Sequence, residues 1–301
     1  VVKSSATPDP SWPPPPIDRF DGPNEKDKAS YQYTDAGDYG LGPMSRARPD
    51  TPKGELSEHI VENCVVYPGV KHQYRLYKPA RHDPSEALPL MIFLDGPLFL
   101  DPRMSTEIVL DNLIQERAIP KMLALFLSPG DKGPGLPIWG GVDNRSIEYD
   151  ATTDLFARFV FDELVPAATR DIAIKTGGEN TAIAGISSSG AAAFTVAWNR
   201  PHLTSKVLSL IGSFVDIRGA NCYPSLIRKT PPKPLRVFLQ SGEKDLDIVF
   251  GNWPVANQDM AAALAYRDYD YQFVFGVGGH SPKHGASVLP DALTWLWRSE
   301  P

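Results

Sequence analysis

The residues best suited to chemistry lie in Thr181-Ala-Ile-Ala-Gly185-Ile186-Ser187-Ser188-Ser189-Gly190-Ala191. A short apolar run leads into a small-residue turn and then into a helix-forming stretch. This is the context of a nucleophile elbow, where a sharp strand-to-helix turn lifts a serine Oγ above the end of its strand. Ser187 is the one serine of the three with a glycine two residues before it, so it is the candidate nucleophile. The backbone N–H of Ser188 would then point at a developing oxyanion. Position 189 departs from the usual pattern, holding serine where glycine is common, although Gly190 follows at once. The competing reading of the same string is a serine-rich helix cap.

A nucleophilic serine needs a base, and the base needs an orienting acid. On strand-turn-helix scaffolds of this kind the chain order is serine, acid, histidine. Of the six histidines, His59, His72 and His82 precede Ser187, and His202 follows it too closely. His280 and His284 remain. His280 sits in Gly278-Gly279-His280, just after an apolar strand pattern ending near Val277, and is the expected base. His284 is expected either to initiate a helix or to line the rim of the site. The acid should follow the strand pattern of 235–240. Glu243, Asp245 and Asp247 compete there, and Asp245, three residues beyond Gly242, is favoured for its reach.

The elements that must position these groups read as an α/β domain over 56–301. A hairpin is expected over 60–67 and 74–77, around Pro68-Gly69. Nearly continuous apolar runs at 88–94 and 122–127 suit strands buried on both faces. Further strands are expected at 181–186, 207–211, 235–239 and 271–275. Helical spacing occupies 106–114, 155–164, 191–198, 257–266 and 293–297, with a Gly/Pro-rich loop at 129–141. Alternating strands and helices imply a mostly parallel central sheet with helices on both faces. Residues 1–55 hold ten of the 30 prolines and form a proline-rich N-terminal arm. Its expected anchors on the body are Trp12, Phe20, Tyr31, Tyr33 and Tyr39.

Composition narrows the function. Charged residues are 22%, and 30 basic against 36 acidic residues give a net charge of −6, so a basic nucleic-acid footprint is lacking. No apolar run reaches the roughly 18 residues of a membrane span. The two cysteines, Cys64 and Cys222, are too few for a disulfide scaffold or a four-cysteine zinc site. There is no HExxH or Cys/His cluster, and Gly185 to Gly190 lacks the following lysine of a phosphate-binding loop. No metal site and no cofactor are expected. The opening Val-Val-Lys-Ser-Ser-Ala is compatible with a processed end, giving an expected secreted or periplasmic location.

Further strings complete the picture: Phe93-Leu-Asp95-Gly96, Asn144-Arg145-Ser-Ile-Glu148-Tyr149-Asp150, Gly242-Glu-Lys-Asp245, Gly251-Asn-Trp253-Pro and Gly278-Gly-His280. Together with Gly185-Ile-Ser187-Ser188 they make residues 60–298 resemble the enterochelin-esterase-like branch of the esterase D family of α/β hydrolases. The resemblance implies an α/β-hydrolase fold and a serine carboxylic ester hydrolase working through an acyl-enzyme. By position it implies a triad of Ser187, Asp245 and His280. It also implies a second oxyanion donor just after the Asp-Gly pair. That residue is Pro97, which has no N–H, so Gly96 and Leu98 become the candidates. A missing donor costs about 2.7–4 kcal/mol of transition-state stabilisation. Trp139, Trp253 and Arg218 are expected to line the cleft. Arg145 and Glu148 read either as an ion pair bracing a loop or, for Arg145, as a contact to the substrate. The expected partner is a small-molecule ester with an aromatic or sugar part. The rival readings are an acyltransferase using the same triad and a weak ester-binding protein.

Overall fold

The structure is a computed structural model that describes residues 25–30, 36–136 and 141–299. Its centre is an eight-stranded sheet: β1 (Glu55–Val61), β2 (His72–Lys78), β3 (Leu90–Leu94), β4 (Leu123–Leu127), β5 (Thr181–Ile186), β6 (Lys206–Leu210), β7 (Arg236–Lys244) and β10 (Asp270–Gly279). A two-stranded ribbon, β8 (Asp247–Ile248) with β9 (Gly251–Asn252), stands beside it. The strand order is β1-β2-β4-β3-β5-β6-β7-β10. From β4 to β10 every pairing is parallel, and β1 and β2 add an antiparallel edge.

The helices are α1 (Glu25–Ser30), α2 (Gly96–Phe99), α3 (Thr106–Gln115), α4 (Arg145–Tyr149), α5 (Leu155–Arg158), α6 (Val165–Ala168), α7 (Ser188–Asn199), α8 (Tyr223–Lys229), α9 (Trp253–Tyr266) and α10 (Pro282–Leu296). A π-helical stretch, Phe159–Leu164, joins α5 to α6, so the helix expected over 155–164 runs on to Ala168.

Strand alternation explains the two layers. Along β3 every residue is buried, but successive side chains point to opposite faces. Leu90, Ile92 and Leu94 pack into one apolar cluster with Phe194 of α7 and Leu264 of α9. Met91 and Phe93 pack into the other with Val109 of α3 and Leu293 of α10. A strand buried on both faces must be apolar at every position, which is why these runs are legible as continuous.

Two expectations shift. The first hairpin strand occupies Glu55–Val61, not 60–67, because β1 is an exposed edge strand with little apolar signal. The apolar residues that follow it lie in a loop that buries Cys64 and Tyr67. Cys64 and Cys222 are both free thiols, and burial pushes the Cys64 thiol up to about 12. The short helices α1, α2, α4 and α8 have no counterpart among the expected helices. Among the arm's expected anchors Tyr39 is described, whereas Trp12, Phe20, Tyr31 and Tyr33 lie outside the described residues. No helix among the described residues is long and apolar enough to cross a membrane.

The order of the parallel strands reverses direction at β3, with β4 on one side and β5 on the other. Ligand crevices of open α/β sheets form at such a switch point, outside the carboxyl ends of the strands. The loops leaving β3 (from Asp95) and β5 (from Ser187) flank this one.

Candidate active site

Ser187 caps α7 immediately after β5, with φ 62° and ψ −123°. That conformation is strained for a residue with a Cβ and persists only where the surroundings over-determine it. They do so here. Ser187 N–H donates to the Leu210 carbonyl (2.9 Å), and its own carbonyl accepts from Gly190 N–H (2.9 Å) and Ser213 N–H (3.0 Å). A Cβ on Gly185 would meet the Ser189 carbonyl oxygen at 2.0 Å, so glycine is obligatory where the helix folds back on the strand. Ser189 explains the departure from the usual pattern. Its hydroxyl donates to the Ile186 carbonyl (2.7 Å) and accepts from the Ile186 N–H (2.7 Å), tying strand end to helix start.

Three loops converge on Ser187 Oγ. His280, between the end of β10 and the start of α10, places Nε2 2.9 Å from it. His280 Nδ1 lies 2.6 Å from Asp245 Oδ1. Asp245 is buried at the end of β7 and also accepts from the Leu246 N–H (2.8 Å) and, at 3.4 Å, from the Ser241 hydroxyl. Its loop and the histidine loop can meet because Gly242 has no side chain. A Cβ there would sit 2.3 Å from the Gly278 carbonyl.

A second contact to Ser187 Oγ has no counterpart among the sequence expectations. Ser213 Oγ lies 3.2 Å away, and the Trp253 indole N–H donates to the same Ser213 oxygen at 3.2 Å. Trp253 is buried, with its ring edge-on to His280 at 5.7 Å between centroids. Its backbone N–H donates to the Leu246 carbonyl (2.8 Å). One tryptophan thus braces the acid loop, the histidine and the loop after β6. The available sequence signal was a run of small and apolar residues, Ile211-Gly212-Ser213, directly after a strand neighbouring β5.

The cleft in front of Ser187 has a volume of about 280 Å³. Its walls include Leu98, Ile186, Ile217, Leu246, Ile248 and Phe250, with Ser188 and Arg145 contributing polar edges. Leu246, Ile248 and Phe250 recur every second residue around the β8–β9 ribbon. That spacing was a legible signal for an apolar wall and went unread.

The remaining expected site residues divide. Arg145 reaches the cleft, but its partner is Asp95 rather than Glu148: Nε and Nη2 grip both carboxylate oxygens at 2.7–3.2 Å. Burial works against the guanidinium charge, yet Asp95, joined by Asp150, holds its pKa above the ordinary arginine value. Glu148 does not line the cleft. It is fully buried, accepting from His72 Nε2 (2.8 Å), Asn144 Nδ2 (2.8 Å) and the Gly130 N–H (3.2 Å). It braces the loop after β4 from α4, one face round from Arg145. Arg218 donates to Ser146 Oγ (3.2 Å) behind the cleft. Asp150, also buried there, has its pKa raised by burial, opposed by the Ser188 and Ser146 hydroxyls and by Arg145 and Arg218. His284 is not at the rim. It is buried in α10, with Nδ1 3.0 Å from Gln240 Nε2 and its ring stacked on Tyr39 at 3.9 Å. Trp139 lies outside the described residues.

Of the two candidates flanking Pro97, Leu98 spends its N–H on the Asp95 carbonyl at 2.8 Å, closing the turn into α2. Gly96 packs its backbone onto β4, where a Cβ would meet the Phe126 carbonyl carbon at 2.4 Å. Among the described residues no three His, Cys, Asp or Glu side chains cluster as a metal site requires.

Sheet order and flanking helices make an α/β-hydrolase-type fold. Residues 67–283 match the model of the family described as "Putative esterase", and the chain belongs to that family of carboxylic ester hydrolases. No curated protein sequence matches it significantly. Several solved structures share the fold. A ferulic acid esterase superposes with a TM-score of 0.66 at 16% identity, covering 82% of this chain and 99% of its own. The enterobactin esterase from Shigella flexneri, solved in the presence of enterobactin, gives 0.67 at 19% identity over 83% of this chain. The match spans 60% of that longer protein. A CE1 ferulic acid esterase from Anaeromyces mucronatus, in complex with ferulic acid, gives 0.64 at 15% identity, covering 86% and 96%.

Proposed function

We propose that the protein hydrolyses carboxylic esters through an acyl-enzyme on Ser187, with His280 as base and Asp245 as its orienting acid. The observation that carries this reading is the continuous hydrogen-bonded line Ser187 Oγ, His280 Nε2 and Nδ1, Asp245 Oδ1, at 2.9 and 2.6 Å. Asp245 accepts a hydrogen bond from Nδ1–H, which leaves Nε2 bare to receive the proton of Ser187. Oγ then attacks the ester carbonyl. Collapse of the tetrahedral intermediate expels the alcohol, which takes its proton from His280. Water repeats the sequence and releases the acid.

The oxyanion is received at the start of α7, where the Ser188 N–H is free of an intrahelical partner and the helix dipole favours negative charge. With the Leu98 N–H already spent, Gly96 is the second donor in this reading. Asp95 and Arg145 fix the turn that carries it, because the bidentate pair anchors the residue immediately before Gly96.

The substrate carries a compact apolar group next to its ester. The cleft is small for a ligand pocket and mostly walled by aliphatic and aromatic side chains. Arg145 is bound to Asp95, so among the described residues lining the cleft its charge is already compensated. Proteins of the same fold are named for ferulic acid and solved with dihydroxybenzoyl compounds, both aromatic. An aromatic acyl group stacked near Trp253 fits that pattern. The test is labelling with a fluorophosphonate followed by peptide mapping. A single adduct on Ser187 is expected, and an adduct on Ser188 or Ser189, or none, overturns the reading.

A further inference from the structure

Ser213 is placed as tightly as the triad. Asn257 Nδ2 holds the Gly212 carbonyl at 2.9 Å, and the Ser213 N–H is held by the Ser187 carbonyl. The Ser213 side chain is 1% exposed, so its hydroxyl has only protein partners to satisfy it. Two are in reach: the Trp253 indole N–H and Ser187 Oγ, each at 3.2 Å.

The donor inventory fixes which way the protons point. An indole N–H only donates, so Ser213 Oγ accepts from Trp253. His280 Nδ1–H faces the Asp245 carboxylate, so Nε2 is an acceptor and takes the Ser187 proton. Ser187 has no second proton to offer, and the bond between the two serines is therefore filled from Ser213. We infer that Ser213 is a further catalytic residue, donating a hydrogen bond to the nucleophilic oxygen of Ser187, and that Trp253 is the positioning residue that fixes this polarity. The inference rests on the triad reading above and adds to it a fourth hydroxyl.

Its chemistry follows from where charge appears. During attack, His280 takes the Ser187 proton while the bond from Oγ to the carbonyl carbon is still incomplete, and negative charge builds on Oγ. At the end of deacylation that bond breaks, its electron pair returns to Oγ, and His280 gives the proton back. Ser213 keeps its own proton throughout, so the balance of the reaction is unchanged. A hydrogen bond to a charged oxygen is stronger than one to a neutral oxygen. The Ser213 bond therefore favours both transition states over the resting enzyme, which is what raises kcat.

The experiment measures the rate of fluorophosphonate labelling, which reports attack by Oγ alone, beside kcat and KM on 4-nitrophenyl acetate. Ser213→Ala is expected to slow labelling and to lower kcat by about 10- to 100-fold each, with KM nearly unchanged and a lowered thermal midpoint, because the buried Trp253 N–H loses its acceptor. Trp253→Phe keeps the ring but removes the N–H and should slow labelling by several-fold. Added to Ser213→Ala it should cost nothing further, since both act through one bond. A packing role would instead leave the labelling rate near wild type for each folded variant, or give losses that multiply. Labelling of Ser213→Ala at the wild-type rate, or independent losses in the double variant, overturns the proposal while leaving the triad intact. Wild-type protein that labels elsewhere than Ser187 overturns the triad and this inference together. Should Ser213→Ala fail to fold, an unchanged labelling rate in Trp253→Phe overturns the proposal.

Discussion

Two cavities lie at opposite ends of the same sheet. One, of about 870 Å³, opens where the parallel strands begin and is edged by Arg81, Arg117, Lys121, Arg298, Asp111 and Trp297. The other, the cleft of about 280 Å³, opens where they end. The larger is the poorer candidate. Arg117 and Lys121 share the loop between α3 and β4, and Asp111 of α3 is already occupied by the Tyr77 hydroxyl (2.7 Å) and the Gly54 N–H (2.8 Å). At the smaller, three strand-end loops deliver a serine, an imidazole and a carboxylate within hydrogen-bond reach of one another. Volume alone does not make a site, and convergence of partnered polar groups on an apolar wall does.

The sharpest break in that contrast comes from the proposed nucleophile. Ser187→Ala should lower kcat by roughly four to six orders of magnitude, and His280→Ala by a comparable amount, because the members of the proposed triad would act as a unit. His284→Ala should leave kcat within about tenfold, since its ring packs on Tyr39 and Gln240 and does not face the cleft. Steady-state kinetics on an aryl ester check all three. If His284→Ala proved as damaging as His280→Ala, the geometry of the histidine loop would be misassigned.

The next effect is on stability. Asp95→Ala strips the half-buried Arg145 of the carboxylate that it grips with two nitrogens. Stranding a fully buried charge costs about 3–5 kcal/mol, and this half-buried one should cost part of that, which denaturant unfolding would register. Replacing both residues by apolar ones of similar size should recover much of the loss. A large drop in kcat for the double variant, with stability recovered, would indicate that the pair also holds the oxyanion turn at Gly96.

How far the sequence exposed this architecture depended on the kind of signal. Strands buried on both faces, such as β3 and β4, are apolar at every position and were readable. The elbow was readable because the strand, Gly185 and the helix lie next to one another in the chain. β1 was displaced by several residues because an exposed edge strand carries polar residues, while the apolar residues after it serve a loop. Ser213 and the Asp95–Arg145 pair were not legible. Each depends on loops from different strands meeting, and sequence distance says nothing about that meeting. The pairing expected between Arg145 and Glu148 illustrates the same gap. Helical spacing allowed it, but β3 and β2 supplied competing partners, Asp95 and His72.

A smaller effect concerns acid. Burial lowers the pKa of His284. The unfolded chain then binds a proton at this position more readily than the folded protein. Stability from this residue is complete above the ordinary histidine value of about 6.5, and it drains away as pH falls through the lower folded value. The thermal midpoint of the wild type should fall faster below about pH 6.5 than that of His284→Phe, which has no such proton to take up. Parallel curves for the two proteins would show that His284 takes up its proton equally well in the folded and unfolded chain, so that burial does not hold it neutral.

The smallest expected effect tests the far cavity directly. Arg117 sits in a left-handed turn, φ 58°, between α3 and β4. Reversing its charge with Arg117→Glu changes the local field at the large cavity by two units. The intervening strands β3 to β6 are only five or six residues long, which at about 3.3 Å per residue separates the two ends by roughly 16–20 Å. The Debye length at physiological salt is about 8 Å, and surface charges two such lengths apart are largely screened. kcat/KM on a neutral aryl ester should therefore stay within about twofold of wild type at 0.15 M salt. A tenfold change with unaltered stability would mean that the two ends of the sheet are coupled, and the large cavity would have to be counted as part of the working enzyme. An unchanged value at both low and physiological salt would confine the chemistry to the small cleft at the strand ends.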